Sequence, residues 1–183
     1  MNDIPLSALF GTLVILILLS AFFSGSETGL MTLNRYRLRH LAKAKHAGAL
    51  RASKLLETPD RLIGLILLCN NFIQTLAASV ATVIGLRLSG ETGIAVAAGL
   101  LTLVLLIFGE VAPKTLAALN PERIAFPATF IVKPLMQVLS PVVTVVNLLT
   151  KWLLKLLGIS TDETGTHALS SEELRTVVIE AGP

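Results

Sequence analysis

The 183 residues are 53% hydrophobic and only 15% charged, with a mean hydropathy of +0.76 and a formal net charge of +3. Soluble domains of this length carry about a quarter charged residues and spread their apolar residues in amphipathic stripes. Here they come in blocks, which excludes a water-soluble globular domain and points to an all-α integral membrane protein.

Residues 4–23 carry no charge, and at 1.5 Å per residue roughly 20 of them cross a hydrocarbon core of about 30 Å. A cleaved signal peptide is the alternative reading. Met1, Asn2 and Asp3 supply no basic n-region, however, and no small-x-small site follows cleanly, so a retained helix is expected. Residues 62–88 form a second apolar block, interrupted by Asn70, Asn71, Gln74, a few hydroxyls and Arg87; residues 94–108 form a third that runs into Gly109 and Glu110. Three transmembrane helices follow from these blocks. The single cysteine, Cys69, lies in the second, so no intrachain disulfide exists.

Between the first two blocks lie Arg35, Arg37, Arg39, Lys43, Lys45, Arg51, Lys54 and Arg61 against only Glu57 and Asp60. The positive-inside bias makes this loop cytoplasmic, the N-terminus and the 89–93 turn external, and the C-terminus internal. Nucleic acid is not expected as a partner, because the net positive charge is made in this loop beside a membrane, where anionic lipid headgroups are the nearer target. Leucines recur among the charges over 30–56, with Gly48 as the expected break, which reads as two short amphipathic helices at the inner surface. A solvated helical hairpin is the alternative.

Residues 124–157 are apolar, yet Pro127, Pro134 and Pro141 recur and Lys133 stands near the middle. A lysine at the bilayer centre costs about 3 kcal/mol on insertion scales, and each proline removes a helix hydrogen bond. A re-entrant or interfacial hairpin is expected, followed by a helix over 142–157 along the inner surface, anchored by Lys151, Trp152 and Lys155. The tail is polar, and Ser170 or Ser171 before Glu172 and Glu173 reads as a helix N-cap. It resembles a linker into a further cytoplasmic domain.

Polar residues at membrane depth are the candidates for function. Ser20, Ser24 and Glu27 are spaced by four and three and share a helix face, with Ser26 nearby; Gly25 and Gly29 let the backbone loosen or another helix approach. Asn70 and Asn71 lie about a third of the way into the second block, with Gln74 one turn on. The third block ends in "FGEVAPK", where Glu110 and Lys114 stand four apart and Pro113 leaves the Gly109 carbonyl without its donor. An ionisable group within a span is a functional candidate. Glu110 pairs either with Lys114 or with a cation held also by hydroxyl and amide oxygens; the two are compatible. Such oxygens are hard donors, suited to Mg²⁺, Ca²⁺, Mn²⁺ or Na⁺, and the three histidines lie outside the group. Serines and asparagines that only bridge helices, and a Glu27 that only faces headgroup water, are the plainer readings.

The segments "FFSGSETGLMTLNR", "LLCNNFIQTLAAS" and "LIFGEVAPKTLAALNPERIA" resemble the transmembrane domain of the CorC/CNNM family of magnesium transporters. The resemblance covers about 5–157, and the tail resembles that family's lead-in to paired CBS domains. It implies a transmembrane domain over 1–158 and a cytoplasmic linker over 159–183. It further implies a homodimer with three transmembrane helices, juxtamembrane helices and a C-terminal belt helix in each subunit. Mg²⁺ would be exported from the cytoplasm, with Na⁺ as coupling ion and ATP entering only through the CBS domains. The ligands it implies are Ser24 with Ser20 or Ser26, Asn70, and Gly109 with Glu110; Lys114, Pro113, Gly25 and Asn71 would support them. The membrane expected is the cell's inner, plasma membrane. A Mg²⁺ sensor that regulates other transporters and a structural anchor for the cytoplasmic part are the rival readings. An enzyme is not expected, because no nucleophile, base and orienting group converge.

Overall fold

The computed structural model describes residues 4–158, and every described element is helical. The order is α1 (Leu6–Thr32), α2 (Arg35–Lys43), α3 (Ala47–Leu55), α4 (Pro59–Val104), a π-helical segment (Leu105–Val111), α5 (Ala112–Leu119) and α6 (Pro121–Leu156). Three continuous helical runs are long and apolar enough to cross a membrane: Leu6–Thr32, Pro59–Leu119 and Pro121–Leu156.

The second run is a hairpin. Ser89 and Gly90 leave helical geometry, and Gly90 takes φ +65°, a left-handed value that glycine adopts without cost. The chain reverses there, so that Gly85 packs directly on Gly93 and Ala97. Arm 59–88 and the following arm from 91 onward thus supply the second and third expected spans, the latter continuing through the π segment into α5. Helix α1 runs antiparallel to the first arm: Arg87 donates to the Ile4 carbonyl near one end, and Ser20 bonds Asn70 further along.

The core is a seam of stripes. On α1 the buried positions Leu9, Leu16, Phe23 and Leu30 recur every seven residues, and on α4 Leu62, Ile66, Ile73, Ala77 and Ala81 meet them. The opposite faces stay apolar and exposed, as at Leu18 and Phe108. In water such faces would be costly; hydrocarbon makes them neutral.

Helices α2 and α3 form in the basic loop because each has a capping side chain. Asn34 Oδ1 accepts from the Tyr36 and Arg37 amides at 3.0 and 3.1 Å, and His46 Nδ1 accepts from the Ala49 amide at 3.3 Å. Gly48 was the expected break, but the break lies earlier: Lys45 takes φ +59°, and Gly48 sits in the first turn of α3 with Phe126 against it.

The contacts divide into two compact units after Thr144. In the first, α6 is tied to the basic loop at successive points. Glu122 pairs with Arg37; Thr129 accepts from Arg51 Nε at 3.1 Å; Ser140 and Thr144 accept from Arg61 Nη2 at 3.2 and 2.7 Å. In the second, residues 145–156 continue as helix, with Thr150 Oγ1 bonded to the Val146 carbonyl. The hairpin expected over 124–141 is therefore corrected: α6 is one helix. Its three prolines are spaced by seven, which puts the missing donors on a single face about two turns apart and leaves the remaining bonds intact. The expected linker over 159–183, with its cap at Ser170 or Ser171, lies outside the described residues.

Candidate functional site

Polar side chains from three segments meet halfway along the seam. Ser20 Oγ, fully buried on α1, donates to Asn70 Oδ1 on α4 at 2.8 Å. Gln74, one turn beyond Asn70, donates from Nε2 to Glu110 Oε1 at 2.8 Å and lies 3.4 Å from Ser20 Oγ. Glu110 belongs to the π segment, and so does Gly109, whose missing side chain lets the segment close on α1: a Cβ there would stand 3.2 Å from Ser20 Oγ. Three segments thus form one hydroxyl, amide and carboxylate network.

The π segment explains two differences from the sequence reading. Pro113 does not break the helix. It falls in the first turn of α5, where a missing N–H costs little, and the upstream turn widens so that the Ala112 amide reaches the Ile107 carbonyl. In a widened turn the fourth residue on does not return to the same face. Lys114 accordingly does not pair with Glu110; its Nζ lies 3.9 Å from Glu27 Oε2 on α1. Glu27 is then part of an ion pair, its side chain 24% exposed, and not a freely hydrated carboxylate.

Ser24 shares the face of Ser20 at one turn's distance. Its Oγ is buried and has no hydrogen-bond partner among the described residues. A hydroxyl in that state is short of about 1–3 kcal/mol unless something else satisfies it. Ser26 is equally buried, but it stands about 200° around α1 from Ser24 and donates back to the Phe22 carbonyl. Gly25 likewise faces elsewhere, toward Pro113 and Ile124. Asn71 is exposed, on a different side of α4 from Asn70.

The structure therefore brings Ser20, Asn70, Gly109 and Glu110 together, with Ser24 one turn away, and sets Ser26, Gly25, Asn71 and Lys114 apart from them. It adds Gln74, which the polar spacing had marked but which the resemblance did not include. Among the described residues no three His, Cys, Asp or Glu side chains cluster to hold a metal. The donors at this site are hydroxyls, amides and one carboxylate.

The family model for the cyclin M (CNNM) transmembrane N-terminal domain matches residues 11–182. Over 163 residues the chain is 52% identical to UPF0053 inner membrane protein YfjD of Escherichia coli (strain K12), covering 89% of this chain and 38% of that protein. A UPF0053 protein of Haemophilus influenzae is 48% identical over 182 residues, covering 100% of this chain and 43% of that protein. A polyamine export protein of H. influenzae is 27% identical over 183 residues, 93% of this chain and 42% of its own length. The chain thus spans about two fifths of the length of these curated relatives. With the family model matched across nearly its whole length, the chain belongs to the CNNM transmembrane-domain family.

Proposed function

We propose that this domain carries Mg²⁺ across the inner membrane, outward from the cytoplasm, with the ion held among Ser20, Ser24, Asn70, Gly109 and Glu110. The observation that supports this most is the Ser24 hydroxyl, buried beside a polar network with no hydrogen-bond partner among the described residues. A small hard cation would take that oxygen together with Asn70 Oδ1, Ser20 Oγ and a Glu110 oxygen. The Gly109 carbonyl is the backbone donor the resemblance implies.

A single formal negative charge in the cluster suits cargo. Mg²⁺ sheds its water reluctantly, so several oxygens must offset that cost. A site with three carboxylates would hold the ion too firmly to release it, because passage requires binding weak enough to leave. Movement comes from the parts flanking the ligands: Gly25 and Gly29 on α1, and the π turn ending at Pro113. Na⁺ moving inward is the coupling ion in this account. In this reading the basic loop lies on the cytoplasmic side with α2 and α3 and the N-terminus lies outside, in line with the positive-inside bias, and the domain works as a homodimer.

A polyamine, the cargo in the name of one relative, is an extended polycation. The approach of Gly109 to Ser20, where a single added Cβ would be crowded, favours a compact ion.

Ser24→Ala separates a ligand from a packing residue. Without Mg²⁺ it is expected to raise thermal stability by about 1 kcal/mol, since it deletes an unsatisfied buried hydroxyl, and it should weaken Mg²⁺ binding about tenfold or more. Thermal unfolding with and without the ion reads both signs; destabilisation without Mg²⁺ and unchanged affinity would mark Ser24 as packing only. Transport itself is tested in liposomes that contain only this protein, loaded with a Mg²⁺-sensitive dye. Flux that depends on a Na⁺ gradient is expected. Binding without flux would favour the regulator reading, and neither binding nor flux the structural anchor.

A further inference from the structure

On the side of α1 away from the polar network, α1, α5 and the start of α6 enclose an apolar groove of about 530 Å³. Leu18, Phe22, Phe108, Leu116 and Ile124 form its walls. From Leu18 to Ser26 the groove follows α1 for eight residues, about 12 Å of rise. Its outer end is flanked by Leu18 and Phe108, both more than half exposed on a face that hydrocarbon covers.

The inner end is different in kind. Arg123 stands there, exposed, and no hydrogen bond, ion pair or ring contact engages it among the described residues. The neighbouring carboxylate, Glu122, is already committed to Arg37. Lys114, 45% exposed and adjacent to Pro113 of the groove, adds a second cation at the same end, partly offset by Glu27. An apolar slot on the hydrocarbon side that ends at an unmatched guanidinium has the layout of one acyl chain with its phosphate: the chain lies in the slot and the guanidinium takes the phosphate oxygens in its fork.

We infer that this groove binds an anionic phospholipid of the inner leaflet, with an acyl chain between α1 and α5 and its phosphate on Arg123. The inference does not depend on the cargo. It matters for any movement of these helices, because Gly25 of α1 and Pro113 of α5 both line the groove and both border segments that carry the polar network. A lipid seated there occupies the space into which α1 and α5 would move together.

The test is native mass spectrometry of the purified, delipidated protein after titration with phosphatidylglycerol or phosphatidylcholine. Three proteins are compared: wild type, Arg123→Gln and Ala21→Phe, the last filling the groove. Wild type is expected to retain phosphatidylglycerol about fivefold to tenfold more strongly than phosphatidylcholine. Arg123→Gln should remove that preference, which reflects the uncompensated charge of phosphatidylglycerol, and lower phosphatidylcholine retention modestly, since both lipids carry the phosphate that the guanidinium holds; Ala21→Phe should reduce retention of both. Inorganic phosphate at millimolar concentration should not compete. Arg123 is exposed, so its variant gives a readout even where Ala21→Phe does not fold. An undiminished preference in Arg123→Gln would overturn the inference and assign the lipid to the basic faces of α2 and α3. Loss of dimer mass in Ala21→Phe alone, with lipid retention intact, would also overturn it and assign the groove to a second copy of the chain.

Discussion

Alanine at Gly93 is expected to destabilise the domain by about 3 kcal/mol, since among the described glycines a Cβ there makes the shortest backbone approach. Overpacking costs about 1–3 kcal/mol, and the upper end applies where the obstructing atoms cannot move aside. At Gly93 an added Cβ would meet the Gly85 carbonyl, its carbon at 2.8 Å and its oxygen nearer still; at Gly85 it would meet the Gly93 carbonyl carbon and Ala97 Cβ, each at 2.8 Å. These are backbone obstacles on two arms of one hairpin. The only relief is to part the arms, which also withdraws Glu110 from Gln74 lower in the same hairpin. Gly99→Ala is the control, since nothing lies within 4 Å of a Cβ there. Thermal unfolding in detergent should show a clear loss for Gly93→Ala and Gly85→Ala and none for Gly99→Ala.

Glu110→Gln is expected to abolish Mg²⁺ transport and to weaken Mg²⁺ binding by about 3 kcal/mol, roughly a hundredfold or more. Glu110 is the one carboxylate in the network. Glutamine has its shape and an oxygen in the same place, so the contact with Gln74 Nε2 survives and only the charge is lost. Folding should be untouched, because Glu110 makes no ion pair among the described residues. A variant that unfolds as the wild type does, yet fails to bind the ion, would locate the ion's charge partner at this position. A variant that binds and transports normally would leave Glu110 as a partner for Gln74 and nothing more.

The spans were legible because hydropathy is a property of blocks. Three charge-poor stretches bounded by basic or turn residues map onto α1 and the two arms of the hairpin, and the reversal at Ser89 and Gly90 falls inside the expected 89–93 turn. Features that depend on single dihedral angles were not legible. The break between α2 and α3 rests on a lysine in a left-handed conformation, which residue type does not announce, while the nearby Gly48 is used for close packing instead. The prolines of α6 argued for a break when counted, but their spacing of seven lets a helix absorb them.

At the candidate site, residue type and helical spacing marked Ser20, Ser24, Ser26, Asn70, Asn71, Gln74, Gly109 and Glu110 as polar candidates, and the narrower ligand set was what the family resemblance implied. Spacing could not tell Asn70 from Asn71, or Ser24 from Ser26. Each choice depends on where a helix faces its neighbour, and only packing supplies that. The π turn was the least legible part. It shifts every residue beyond it by a fraction of a turn, and this sends Lys114 to Glu27 instead of Glu110. Gln74 was visible as a polar residue, but its bond to Glu110 spans 36 positions and follows from the fold of the hairpin.

The central claim is that one Mg²⁺ sits where Ser20, Ser24, Asn70, Gly109 and Glu110 converge. Calorimetric titration of Mg²⁺ into the purified wild type, beside Glu110→Gln and Asn70→Ala, tests it most directly. One ion per subunit is expected in the wild type and loss of the binding heat in both variants, with the melting temperature preserved in Glu110→Gln and lowered in Asn70→Ala, which takes the acceptor from the buried Ser20 hydroxyl. Equal binding by all three proteins would contradict it, and the network of Ser20, Asn70, Gln74 and Glu110 would then be a polar clasp between helices.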